Sequence, residues 1–235
     1  MVDRGRGIGV LPRQSGPLCP DCPATLGGVL SGIVQTSSGC LLRCVSIPAH
    51  GVLPVRWGRN PEFALVRRGI VVRQRVDASG GATAVDAVGP GGLLPLRDPG
   101  ERGASTYAVA DALLCVCTAR TLNAALESST GVARDVIRLQ ALALDRVERI
   151  ADARGRKTAA GRVAALLGAL SDTLSPHRQL DVVPAGLRQR DLGALLALRH
   201  ESVCRELGRL ERSGTTTRVA EGIRIVDRAR LEAIA

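Results

Sequence analysis

LRQRDLGALLALRHESVCRELGRLERSG, residues 187–214, is the stretch whose spacing decides the fold. Leu192, Leu195 and Leu196 give a short helix one apolar face, and Ala197-Leu198-Arg199 can form a turn. Val203, Leu207 and Leu210 then give a second helix an inward face. His200, Glu201, Cys204, Arg205 and Arg209 fall on its outer side. A short helix, a tight turn and a second helix with a polar outer face make a helix-turn-helix, and TTRVAEGIRIV behind it predicts a hairpin wing. The chemistry follows from reach. Side chains in the first turns of the second helix meet base edges in the major groove, where Arg donates to guanine O6 and N7 together and Glu accepts from cytosine N4.

Immediately upstream, KTAAGRVAALLGALSDTL predicts one helix and SPHRQLDVVPAG a connector. Further back, STGVARDVIRLQALALDRVERIADAR, residues 128–153, has no Gly or Pro after Gly131. Val132, Val136, Leu139, Ala143, Val147 and Ile150 recur at spacings of three and four, one apolar stripe on a long helix, with Ser128 or Ser129 to cap it. The pattern suits a helix packed on its own domain and a helix paired with a second copy equally well. Residues 46–125 hold short runs, FALVRRG, IVVRQRV and TAVDAV, between turn signals such as Gly89-Pro-Gly-Gly92 and Asp98-Pro-Gly100. Such punctuation predicts a small antiparallel barrel or sandwich. Residues 1–45 are rich in Gly, Pro and Cys and predict a loose arm.

Composition narrows the function. Hydrophobic residues are 45% of the 235, so a core can form, but aromatics are 1% and base stacking on aromatic platforms is nearly excluded. The net charge of +10 suits a polyanionic partner. The N-terminus has no apolar signal core and no run approaches a membrane span, so a cytoplasmic protein without membrane partners is expected. The three histidines, His50, His177 and His200, lie in different regions, and no Ser/His/Asp set emerges; an enzyme is not expected.

RDLGALLAL, ESVCRELGRLERSG and GIRIVDRARLEAIA resemble the Crp/Fnr superfamily of transcription regulators, and FALVRRGIVV is similar to that family's hydrophobic–Gly strand pair. The resemblance implies an α+β fold: an N-terminal antiparallel β-roll of double-stranded jelly-roll type as sensor, a long dimerisation helix and a C-terminal winged helix-turn-helix. The expected boundaries are a Cys-rich arm at 1–45, the sensor domain at 46–127, the dimerisation helix at 128–153 and the DNA-binding domain at 154–235. It implies a homodimer on a two-fold symmetric double-stranded DNA site, with RNA polymerase as protein partner. Glu201 and Arg205 match the base-reading pair, His200 and Cys204 tune that site, and Arg209 completes the DNA-binding set. Three positions depart from the family: Ala197 for Gly, Arg199 for Ser or Thr, and Arg188 for Thr.

The chain has seven cysteines, and Cys19-x-x-Cys22 with Cys115 resembles the oxygen-sensing branch, which holds a [4Fe–4S] cluster through N-terminal cysteines and one before the dimer helix. That branch's third N-terminal Cys falls where Gly28 and Val29 stand here. The implied ligands are Cys19, Cys22 and Cys115, with Cys40, which follows Ser-Ser-Gly, as the fourth; Cys44 and Cys117 stay open as alternatives. The implied function is a regulator whose DNA affinity is controlled by an oxygen- or nitric-oxide-labile cluster. A thiol-redox switch and a zinc site are alternatives. A cyclic-nucleotide response is less favoured, since GPGGLLPLRDPGERGAST has no Glu after Gly92 and Arg102 precedes Gly and Ala rather than Ser.

Overall fold

The computed structural model describes residues 9–10, 42–53, 61–79, 81–96, 104–128, 130–174 and 181–235. These form two compact units: one takes in Met1–Val71 and Val88–Ala143, the other Val72–Ala87 and Leu144–Ala235.

In the first unit, β1 (Gly9–Val10), β2 (Arg43–Ile47), β9 (Ala112–Thr118), β4 (Pro61–Arg68) and β7 (Leu93–Pro95) form a sheet in that order. In the same unit β3 (Val52–Leu53) pairs antiparallel with β8 (Ala104–Ala108), while the hairpin of β5 (Val71–Val76) and β6 (Ala82–Val88) lies largely in the second unit. The strands of the first sheet are antiparallel, with Cys44 opposite Cys115 and Ile47 opposite Ala112 where β2 meets β9. This matches the predicted antiparallel β-roll.

Alternation along the strands divides the core into two layers. Val45, Ala64, Val66, Leu114 and Val116 point to one face of the sheet, where Leu53, Val71 and Ala108 complete a purely apolar cluster. Phe63, Leu65, Cys115 and Cys117 point to the opposite face and are covered by helices. Because both faces of β9 are covered, its ALLCVCT reads as one continuous apolar run rather than an alternating one. The covering helices are α1 (Ala119–Ser128), capped by the Thr118 hydroxyl accepting from the Thr121 N–H at 3.2 Å, and the long α2 (Thr130–Gly155).

The stripe predicted on α2 is present, and Val132, Val136, Leu139 and Ala143 pack in the same cluster as Cys115. The intramolecular reading of that stripe therefore holds over this half of the helix. A different set stands in solvent on α2: Ile137 is 67% exposed and Leu144, seven residues on, 59%. The helix begins at Thr130 and α1 precedes it, where the sequence suggested one helix from Ser128.

The second unit contains the latter part of α2, then α3 (Ala159–Leu174), β10 (Val182–Pro184), α4 (Gln189–Leu196), α5 (His200–Arg212), β11 (Thr216–Val219), β12 (Gly222–Ile225) and α6 (Arg228–Ile234). The connector predicted after α3 contributes β10, the third strand of the wing sheet, whose order is β10-β12-β11. Gly222, at φ +145°, is required there: a Cβ would lie 1.9 Å from the Val183 carbonyl oxygen. Arg228 ties the unit together by donating to Ser171, Asp172, Asp181 and Glu232. The Asp172 hydrogen bond leads the interactions that hold its guanidinium above the ordinary arginine range.

The same unit includes most of the β5–β6 hairpin. Arg146 of α2 donates from Nε and Nη2 to the two oxygens of Asp86 at 2.7 and 2.9 Å, an ion pair almost wholly out of water. Two helical turns further along α2, Arg154 donates to the Ala84 carbonyl of β6 and, at 2.6 Å, to the Leu195 carbonyl of α4. Burial pushes the Arg154 guanidinium below its ordinary pKa. Among the described residues, no helix is long and apolar enough to cross a membrane.

Candidate nucleic-acid interface and cysteine site

The helix-turn-helix is built as the spacing predicts. Leu192, Leu195 and Leu196 of α4 and Val203, Leu207 and Leu210 of α5 are buried. The turn between them is tight: the Leu198 N–H donates to the Gly193 carbonyl at 2.9 Å, and a Cβ on Gly193 would meet the Leu198 oxygen at 2.7 Å. Ala197 takes the left-handed conformation, φ 53°, that Gly takes without strain.

The two arginines at cap positions behave differently from Ser or Thr. Arg188 has no capping hydroxyl, but its own N–H donates to Asp191 Oδ2 at 2.9 Å, so the buried Asp191 closes the start of α4 from inside. Arg199 offers no side-chain cap to α5. The first-turn N–H groups of α5 thus have no side-chain acceptor from their own cap, at the helix end where a helix dipole favours anions.

The predicted DNA-contacting residues lie together on one face of α5. His200, Glu201, Cys204, Arg205 and Arg209 are all exposed. His200 Nδ1 stands 3.5 Å from Glu201 Oε2. Further exposed arginines in this unit are Arg188 and Arg190 at the start of α4, Arg212 at the end of α5, and Arg218 and Arg224 in the wing. The Arg218 guanidinium leans on Glu211 at 3.6 Å. One residue that the pattern did not mark as functional is Glu206, 3% exposed beneath this face. Its two oxygens accept from Arg209 Nη1 at 3.0 Å each, and Oε1 from Arg205 Nε at 3.5 Å. Its spacing from Val203 and Leu210 was the available signal, since it shares their inward side; its charge concealed it.

The cysteines divide. Cys19, Cys22 and Cys40 lie outside the described residues. Cys115 is buried on β9, and its sulfur is 3.9 Å from that of Cys44, directly opposite on β2. Cys117, two residues on and on the same face, is fully buried and directs its thiol toward the Thr118 carbonyl at 3.6 Å. Among the described residues no three His, Cys, Asp or Glu side chains gather into a metal-holding group. The segment 97–103, which carries Arg102, is also outside the described residues.

Comparison with known proteins agrees with this geometry. Residues 161–234 match the Crp-like helix-turn-helix domain. The nitrogen fixation regulation protein FixK of Bradyrhizobium diazoefficiens is 27% identical over 230 residues, spanning 96% of this chain and 97% of that protein. The structure of FixK2 from Bradyrhizobium japonicum superposes with a TM-score of 0.66 at 25% identity, covering 83% of this chain and 97% of that one. A CRP-family transcriptional regulator from Thermus thermophilus shares the fold, with a TM-score of 0.58 at 18% identity over 81% of this chain and 95% of its own.

Proposed function

We propose that this chain, a DNA-binding transcription regulator of the Crp/Fnr type and not an enzyme, acts as a homodimer whose hold on DNA is set by cysteine chemistry around Cys115. The observation that carries this reading is the packing of Cys115, Cys117 and Cys44 in one cluster with Val132, Val136, Leu139 and Ala143 of α2. A change of bonding at Cys115 cannot leave that face of α2 undisturbed, because close-packed interiors respond to displacements well below the width of a methyl group.

Dimerisation in this reading uses the other side of α2. The inward stripe is already satisfied, while Ile137 and Leu144 stand in solvent at heptad spacing. A two-fold dimer presents two copies of α5 to half-sites about one helical turn apart. On each half-site Arg205 and Glu201 read bases, with His200, Cys204 and Arg209 beside them. RNA polymerase is the expected protein partner once DNA is bound, and the cytoplasm the expected compartment.

The finer reading is a [4Fe–4S] cluster on Cys19, Cys22 and Cys115. The donor chemistry fits, since thiolate is the ligand such clusters take. For the fourth ligand, the 3.9 Å separation supports Cys44 beside the Cys40 that the sequence favours. When bound, the cluster would supply a centre labile to oxygen and nitric oxide. The chain's own part is to fix β9 against α2 and to keep water from Cys115.

A second reading is favoured by the same separation. Residues directly opposite in an antiparallel pair have Cα atoms about 4.5–5.5 Å apart, inside the range a disulfide spans. Peroxide could oxidise the pair with balance: two thiols and one H2O2 give one disulfide and two waters. Anaerobic reconstitution with iron and sulfide separates the readings. The cluster reading expects bound iron and acid-labile sulfide, lost in Cys19→Ala and Cys115→Ala. The dithiol reading expects no retained iron and the disappearance of two titratable thiols on peroxide treatment, abolished in Cys44→Ser. Full cluster content in both alanine variants would defeat the ligand assignment.

A further inference from the structure

We propose that Glu206 is a specificity-determining residue that acts through Arg205 and Arg209 without touching DNA. The inference rests on the reading that these two arginines contact the duplex.

Glu206 lies among Val203, Leu207 and Leu210 on the inward side of α5, at 3% exposure. A carboxylate out of water is costly unless it is paired. Here its partners come from the DNA-facing side: both its oxygens receive Arg209 Nη1, and Oε1 receives Arg205 Nε. The side chains of both arginines are otherwise 60% exposed.

Two consequences follow from donor geometry. A guanidinium has five N–H donors in a fixed fork. With Nε of Arg205 turned back to Glu206, its terminal edge, Nη1 with Nη2, is the one left for the O6 and N7 acceptors of a guanine. With Nη1 of Arg209 engaged, that residue keeps Nη2 and Nε for the duplex. Glu206 thereby fixes which edge each arginine presents and removes rotamers that would otherwise be lost on binding, which favours the one base geometry that fits. Its negative charge also opposes attraction to any phosphate backbone. The carboxylate weakens general affinity while strengthening discrimination.

The test is Glu206→Gln in the full-length protein, an isosteric change that removes the charge. The probes are a duplex selected by the wild type from a randomised pool, its single-base variants, and sheared non-specific DNA. The expected result is tighter binding to the sheared DNA, by roughly twofold or more, and a fall of about tenfold in the ratio of selected to mismatched affinity. The loss should fall at the base pair whose preference Arg205→Ala also erases. A purely structural role would lower the melting temperature and weaken all three probes together. If Gln prevents folding, Glu206→Leu, suited to the apolar surroundings, carries the same expectation. An unchanged ratio in a folded variant, while Arg205→Ala still erases a base preference, overturns the inference and leaves the DNA-reading assignment intact. Loss of no preference in Arg205→Ala and Arg209→Ala overturns both.

Discussion

The two units bury their reactive groups in opposite ways. In the first unit the layer covered by α1 and α2 holds sulfurs: Cys115 and Cys117 inside an apolar cluster, with Cys44 at its edge. In the DNA-binding unit the buried groups are charges: Asp86 with Arg146, Asp191 at the head of α4, and Glu206 under the recognition helix. The difference teaches what each unit can respond to. A thiol layer answers to oxidants and metals and is indifferent to salt, whereas ion pairs hold geometry and answer to a polyanion but have no redox chemistry. α2 contributes to both, through Val132 and Val136 at one end and Arg146 and Arg154 at the other.

Removing the carboxylate of the Asp86–Arg146 pair should destabilise the protein most. Asp86→Ala strands the buried Arg146 guanidinium, and such losses cost about 3–5 kcal/mol. Urea denaturation should show it equally in reducing and oxidising buffer. A redox-dependent difference would blur the division between the units.

Next comes the helix they share. Placing Asp at both Ile137 and Leu144 should give a folded monomer by sedimentation. Its affinity for a two-fold DNA site should fall on the order of 100-fold or more, the gain that linked binding sites ordinarily supply. A dimer that persists would move the seam elsewhere.

A smaller effect sharpens the account of the turn. Ala197→Gly should raise stability by up to about 1 kcal/mol, because a left-handed residue with a Cβ is strained and Gly is not. Its unfolding midpoint in denaturant, compared with the wild type's, checks this.

How much of this was legible in the sequence depends on whether the contacts are local. Leu192, Leu195, Leu196, Val203, Leu207 and Leu210 show the helix-turn-helix because helical periodicity is written within a few residues of itself. The inward stripe of α2 is legible for the same reason, but the helix's two candidate uses were not separable until Val132 and Leu139 were seen against Phe63 and Cys115. The meeting of Cys44 and Cys115 was hidden, because strand register joins residues 71 apart in the chain and no local pattern encodes it. Glu206 was hidden for another reason: charge argues for a solvated face, and only its position between Val203 and Leu210 argued against one. β10 escaped notice because three residues ending in Pro carry too little pattern to mark an edge strand.

On the proposed reading, sulfur chemistry at Cys115 governs the grip of α5 on DNA. The most direct measurement is DNA affinity of the wild type and of Cys115→Ser, each compared between anaerobically reconstituted or reduced protein and the same sample after oxidation. The claim predicts that wild-type affinity changes by at least about tenfold, equal to about 1.4 kcal/mol of coupling between the sites, and that Cys115→Ser loses this response while still binding DNA. Equal affinity in both wild-type states, or an undiminished response in Cys115→Ser, would contradict it.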